Sequence, residues 1–110
     1  FAGAFPAWLS PVQVKVLPIS ERHHGYASQV EEALTKAGFR VEADMRSEKI
    51  GYKIREAQLQ KIPYMLVVGD KEAESGEISV RGRKAGDLGS MTVEAFIEKL
   101  REEVDSKAMQ

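Results

Sequence analysis

The sequence has no cysteine in 110 residues. Disulfides and thiolate metal sites are therefore excluded, and a reducing compartment, the cytoplasm, is expected. Long apolar runs are also missing: the longest is five residues, Tyr64 to Val68. A membrane-spanning helix needs about 20, so no membrane partner is expected. The opening stretch FAGAFPAWL lacks the basic segment and extended apolar core of a signal peptide. It also lacks an initiator methionine, so the chain is expected to be a fragment or a processed product. Net charge is nearly absent, with 16 Lys and Arg against 17 Asp and Glu. No polyanion partner follows from the average alone.

What is present points to one globular domain. A hydrophobic content of 43% is ordinary and argues against disorder. The near-neutral average hides a polarised distribution. Arg46 to Lys61 carries five cations (Arg46, Lys49, Lys53, Arg55, Lys61) against two anions (Glu48, Glu56). Arg81, Arg83 and Lys84 add three more cations in four residues, whereas Glu94 to Asp105 holds five acids and two bases. Such basic patches steer anions when they face solvent together.

Apolar periodicity orders the elements. Val12 to Ile19 alternates as a strand, and Tyr26, Val30, Ala33, Leu34 and Ala37 recur at helical spacing up to a capping Gly38. Phe39, Val41 and Ala43 form a half-buried second strand, which implies a right-handed parallel crossover. Ser47 is placed as N-cap of a basic helix running from Glu48 to about Lys61. Ile50, Ile54 and Ala57 line one face of that helix, with Tyr52 and Leu59 nearly opposite. Tyr64 to Gly69 is a buried third strand, Asp70 to Gly76 an acidic turn, and Ile78 and Val80 an antiparallel strand. Leu88 to Met91 is a short edge strand, and Thr92 caps a last helix with Val93, Phe96, Ile97, Leu100 and Val104 on its inner face. The fold class is therefore α/β, a mixed sheet of about five strands (a βαβαβ core plus antiparallel strands) with three helices.

Three groups of chemistry-bearing residues are assigned no site. His23 and His24 point about 100° apart on a helix and are placed as a solvated pair. The acidic pairs Glu31/Glu32 and Glu102/Glu103 fall on exposed helix faces. Gly82, Gly86 and Gly89 lack dinucleotide or P-loop spacing and serve as turn formers; a small nucleotide-binding enzyme of flavodoxin-like topology is disfavoured because no Gly-rich phosphate loop follows the first strand. Trp8 is assigned to packing.

The segments FPAWLSPVQV, RVEADMRSEKIGYKIREAQLQKIPYMLVVGDKE and ISVRGRKAGDLGSM resemble the C-terminal anticodon-binding domain of bacterial-type threonyl-tRNA synthetases, class II enzymes. The resemblance implies that residues 12–110 are the anticodon-binding domain and residues 1–11 the tail of a preceding catalytic domain. It implies a fragment that is not catalytic by itself and holds no cofactor. ATP, Mg and Zn would belong to the catalytic domain of a parent threonine–tRNA ligase, a homodimer. The implied partners are that domain and the anticodon loop of threonine tRNA. The alternative is a stand-alone protein-binding or accessory-subunit module that uses the Tyr52/Leu59 face.

By the same resemblance the RNA-binding residues are Ser47, Lys49, Lys61, Lys71, Glu72 and Arg81. Lys61 and Lys71 suit phosphate, which positions without specifying. Lys49, one turn before Lys53, suits the RNA backbone. Single-stranded loops are read by splaying bases and bonding their edges. A guanine offers donors on one edge and acceptors on the other, so Glu72 suits the first and Arg81 the second. The hairpin-like turn between these two is expected to bring them to one end of the sheet, around the middle G of a threonine anticodon.

Overall fold

The computed structural model describes residues 11–83 and 86–106. Trp8, Lys84 and nearly all of the expected 1–11 tail lie outside the described residues. Strand β1 (Val14–Pro18) sits beside β2 (Val41–Ala43) on one side and β3 (Tyr64–Val68) on the other, parallel to both. Strands β4 (Glu77–Gly82) and β5 (Gly86–Thr92) continue the sheet antiparallel, giving the order β2-β1-β3-β4-β5. The helices are α1 (His24–Lys36), α2 (Ile50–Leu59), α3 (Asp70–Ser75) and α4 (Val93–Ser106). A 3-10 turn over Glu21–His23 leads into α1.

Side-chain alternation divides the core in two. Val14, Val16, Tyr64, Leu66, Val68, Ile78 and Val80 face α1 and α4, where Ala27, Val30, Leu34, Phe96 and Leu100 close the larger core. Tyr64 meets Phe96 edge-to-face at 5.4 Å between ring centroids, the offset geometry that aromatic pairs favour. Leu17, Met65 and Val67 face the other way, onto Ile50, Ile54 and Ala57 of α2. The buried run of β3 thus serves both cores.

Two helices end in the same motif with different residues. After α1, Gly38 takes φ 98°, its N–H donates to Thr35 O at 3.0 Å, and Phe39 N–H donates to Leu34 O at 3.1 Å. After α2, Lys61 takes φ 61°, with matching bonds from Lys61 N–H to Gln58 O (3.0 Å) and Ile62 N–H to Ala57 O (3.2 Å). These are Schellman closures, which favour glycine at the left-handed position. Lys61 occupies that position at the steric cost of a Cβ.

Several sequence expectations change. The acidic turn is helical: α3 occupies Asp70–Ser75, a fourth helix besides the three longer ones. Helix α2 begins at Ile50 with Lys49 as the N-cap residue, so Ser47 does not cap it. Ser47 Oγ instead donates to Glu21 Oε1 at 3.0 Å. Glu103 is not on a solvated face, because Tyr64 donates its hydroxyl proton to Glu103 Oε1. Thr92 does cap α4, accepting from Ala95 N–H at 3.1 Å.

The basic helix is less basic than its sequence. Lys53 is 1% exposed and its ammonium donates to Pro18 O (3.0 Å) and Asp44 O (3.1 Å), the carbonyls where β1 and β2 end. Arg46 is held by Asp44 (2.8 and 2.7 Å) and Glu56 (2.6 Å), with its guanidinium 5.6 Å from the Tyr52 ring centroid. Two of the five cations are therefore spent inside the fold.

Two expected outcomes follow. Lys61→Gly removes the left-handed strain at an exposed site and should raise stability by about 1 kcal/mol, or about 5 °C in Tm, by thermal denaturation. The second concerns Asp44, whose carboxyl is held below its usual range by hydrogen bonds from Arg46. A lowered carboxylate pKa adds stability above the ordinary value and loses it as pH falls through the lowered one. Asp44→Asn should therefore cost stability near pH 7, and the difference from wild type should shrink below about pH 4. Urea denaturation across that range reads it; a constant difference would remove the charge argument.

Candidate nucleic-acid interface

Helix α2 covers only part of its face of the sheet. Among the described residues, its core takes side chains from β1 and β3 and none from β4 or β5. Strand β4 alternates half-buried and buried residues, with Ile78 and Val80 inward on the α1/α4 side. Ser79 and Arg81 therefore point to the uncovered side, beside Val67 of β3, and register places Ser90 of β5 opposite Ser79. Among the described residues, a polar strip of sheet is left open next to α2.

One end of this strip carries Glu72. Gly69 follows Val67 by two residues and so presents the same face. A Cβ built on Gly69 would lie 2.6 Å from Ile19 Cδ1 and 3.3 Å from Glu72 Oε1, so the carboxylate sits directly over this glycine. Glu72 Oε1 accepts Gly69 N–H at 2.7 Å. Anchoring one oxygen fixes the direction of the other. Lys71 precedes it on the exposed first turn of α3.

The opposite end is basic. Arg81 pairs with Met65, near the start of β3, and not with the end of that strand. Gly69 lies four residues farther along, about 13 Å at strand spacing. The structure therefore does not bring Glu72 and Arg81 to one end of the sheet. They share a face but stand at its two ends. Lys61 joins Arg81 at the basic end: Arg83 donates through Nη1 to Lys61 O at 2.8 Å and through its backbone N–H to Pro63 O at 2.8 Å.

Ser47 and Lys49 lie in the β2–α2 loop, at the carboxyl end of the parallel strands, the end where open α/β sheets bind ligands. The 3-10 turn after β1 and the start of α3 after β3 leave the sheet at that same end. They are tied together there. His23 is 4% exposed, its Nδ1 accepts Ser20 N–H at 3.2 Å and its Nε2 donates to Asp70 Oδ1 at 2.6 Å. Arg22 Nη2 donates to Asp70 Oδ2 at 2.6 Å. The Asp70 carboxyl is held below its usual range, first by the His23 hydrogen bond and then by the nearby Arg22 charge. His23 is thus no member of a solvated pair. Burial likewise pushes the Lys53 ammonium down.

Sequence reasoning missed Arg83, Gly69, His23 and the open strip itself. Alternation along β4 was visible, but alternation cannot say which face a helix leaves bare. Arg83 was visible as charge, without its tie to Lys61.

Comparison with known proteins identifies the family of this fold. Residues 13–103 match the anticodon binding domain family. The chain is 64% identical over 109 residues to the threonine–tRNA ligase of Caldanaerobacter subterraneus subsp. tengcongensis, covering 99% of this chain and 17% of that protein. It is 61% identical over 107 residues to the threonine–tRNA ligase of Acetivibrio thermocellus, covering 97% and 17%. Among solved structures it resembles the RNA binding domain of threonyl-tRNA synthetase from Cryptosporidium parvum Iowa II, with TM-score 0.88 and 39% identity over 92% of this chain and 26% of that one. The prolyl-tRNA synthetase of the same organism shares the fold, with TM-score 0.83 and 23% identity over 94% of this chain and 22% of that one. The chain spans about a sixth of the length of these curated relatives (17%), and by sequence and by architecture it belongs to the anticodon binding domain family.

Proposed function

We propose that this chain is the C-terminal tRNA-recognition module of a threonine–tRNA ligase and lays the anticodon loop of threonine tRNA along the open strip beside α2. The observation that carries the reading is the strip's polarity, an anchored carboxylate at one end and Lys61 with Arg81 at the other. An acceptor reads donor edges of a base; a forked guanidinium reads acceptor edges; ammonium groups hold phosphate. Glu72 and Arg81 accordingly address different bases, because a span of about 13 Å exceeds one base. Ser47 offers a hydroxyl at the end of β2, while Lys49, Lys61 and Lys71 contact backbone. Residues 12–110 form the module, and residues 1–11 lead to it from the catalytic domain.

Aminoacylation, with its ATP, Mg and Zn, belongs in this reading to the catalytic domain of the parent, which supplies the homodimer contact. Among the described residues no group of three or more His, Cys, Asp and Glu is placed to hold a metal ion. No helix among the described residues is long and apolar enough to cross a membrane, and a cytoplasmic location fits a translation enzyme. A second reading keeps the fold as a protein-binding or accessory module. It rests on the outer face of α2, where Tyr52 is 48% and Leu59 75% exposed.

Filter binding of transcribed threonine tRNA and a non-cognate tRNA separates the two; equal or absent binding favours the accessory module. Lys61→Ala and Lys71→Ala should each reduce the slope of log affinity against log salt by about 0.7. Unchanged slopes would move the phosphate contacts elsewhere. Anticodon stem-loops with single base swaps test the readers. Glu72→Gln should relax the preference for G over A at the middle position by about 1–3 kcal/mol, and Arg81→Ala should relax a neighbouring position. Relaxation of the same position by both would contradict the two-point arrangement.

A further inference from the structure

Helix α3 has no buried side chain of its own. It is six residues long, and isolated helices of that length are not stable in water. Yet it carries Lys71 and Glu72. Three polar attachments hold its first turn: His23 Nε2 and Arg22 Nη2 on the Asp70 carboxylate, both at 2.6 Å, and Gly69 N–H on Glu72 Oε1 at 2.7 Å. Of the groups that grip Asp70, only His23 is rigidly placed. Its ring is 4% exposed, whereas the Arg22 side chain is 71% exposed. The orientation of the ring is also fixed, because Nδ1 accepts Ser20 N–H and leaves the proton on Nε2 for Asp70.

We infer that His23 is a positioning residue for base recognition: through Asp70 it locks the start of α3 and so aims the Glu72 carboxylate along the open strip. This deepens the RNA-binding reading above and rests on it. The chemistry is specific. A buried donor on the β1 side fixes Asp70, the first residue of α3; Glu72 lies two residues on and reaches back over Gly69. Loosening the first attachment lets the carboxylate move while the sheet, Arg81 and Lys61 stay in place. A contact that must meet two donors on one base edge loses direction before it loses charge. His23 should therefore govern which base is preferred more than how strongly RNA is held.

The test compares stem-loops with G or A at the middle anticodon position, at several salt concentrations, using the 110-residue chain. Wild type should favour G by about tenfold or more. His23→Leu removes the donor, and Asp70→Ala removes the acceptor at a side chain that is 60% exposed, with no loss of core packing. Each should bring the preference to within about threefold while leaving the salt slope unchanged. His23→Gln keeps an N–H donor and should retain most of the preference. If His23→Leu does not fold, Asp70→Ala decides alone. A G preference as large in Asp70→Ala as in wild type overturns the inference and leaves the RNA-binding reading standing. A wild type that binds both loops equally overturns the base-reading role of Glu72, and this inference with it.

Discussion

A helix with its side chains is about 10 Å across and strands lie about 4.8 Å apart, so one helix shelters about two strands. Among the described residues, two helices, α1 and α4, cover one face of this five-stranded sheet, but α2 alone covers the other. The uncovered remainder falls on β4 and β5. Their outward residues must tolerate water, and Ser79, Arg81 and Ser90 do so. The same arithmetic that leaves the strip bare makes it a polar surface bordered on one side by α2. The open strip and the fold are thus one consequence of helix number.

The charges follow from where backbone ends are left. Parallel strands β1 and β2 stop at Pro18 and near Asp44, and their last carbonyls have no further partner in the sheet. Lys53 reaches up from α2 to satisfy both. Burying an ammonium is expensive unless its protons are bonded, and the two carbonyls offset part of that cost. Arg46 then closes over the same corner by gripping Asp44 and Glu56. The corner is electrostatically finished, so cations that seemed available for tRNA in the sequence are structural. Of the five cations in that stretch, Lys49, Arg55 and Lys61 remain outside this corner.

The elements proposed to meet RNA are weakly rooted. Helix α3 contributes nothing to either core, and Lys61 is held in a backbone region that costs a non-glycine residue about 1–2 kcal/mol. Both are stabilised from outside, α3 by His23 and Arg22, Lys61 by Arg83 on its carbonyl. Residues that look peripheral in each case hold the ones that would touch RNA. Gly69 contributes by omission, since a methyl group there would collide with Ile19 and crowd the Glu72 carboxylate.

The sequence by itself determined the element order apart from α3, the parallel crossovers, the buried third strand and the inner faces of α1, α2 and α4. These follow from periodicity and from Gly38, Pro63 and Thr92, which act over a few residues. It also carried the family resemblance, because that lies in contiguous segments such as KIPYMLVVGDKE. Only the tertiary structure decided the rest. Register across β3 and β4 put Arg81 opposite Met65 and so parted it from Glu72. Long-range hydrogen bonds, spanning 47 residues for His23–Asp70 and 35 for Lys53–Pro18, turned a supposed solvated histidine and a supposed surface lysine into interior groups. Local pattern reports which residues prefer water; it holds no information on which distant carbonyl or carboxylate will arrive to replace that water.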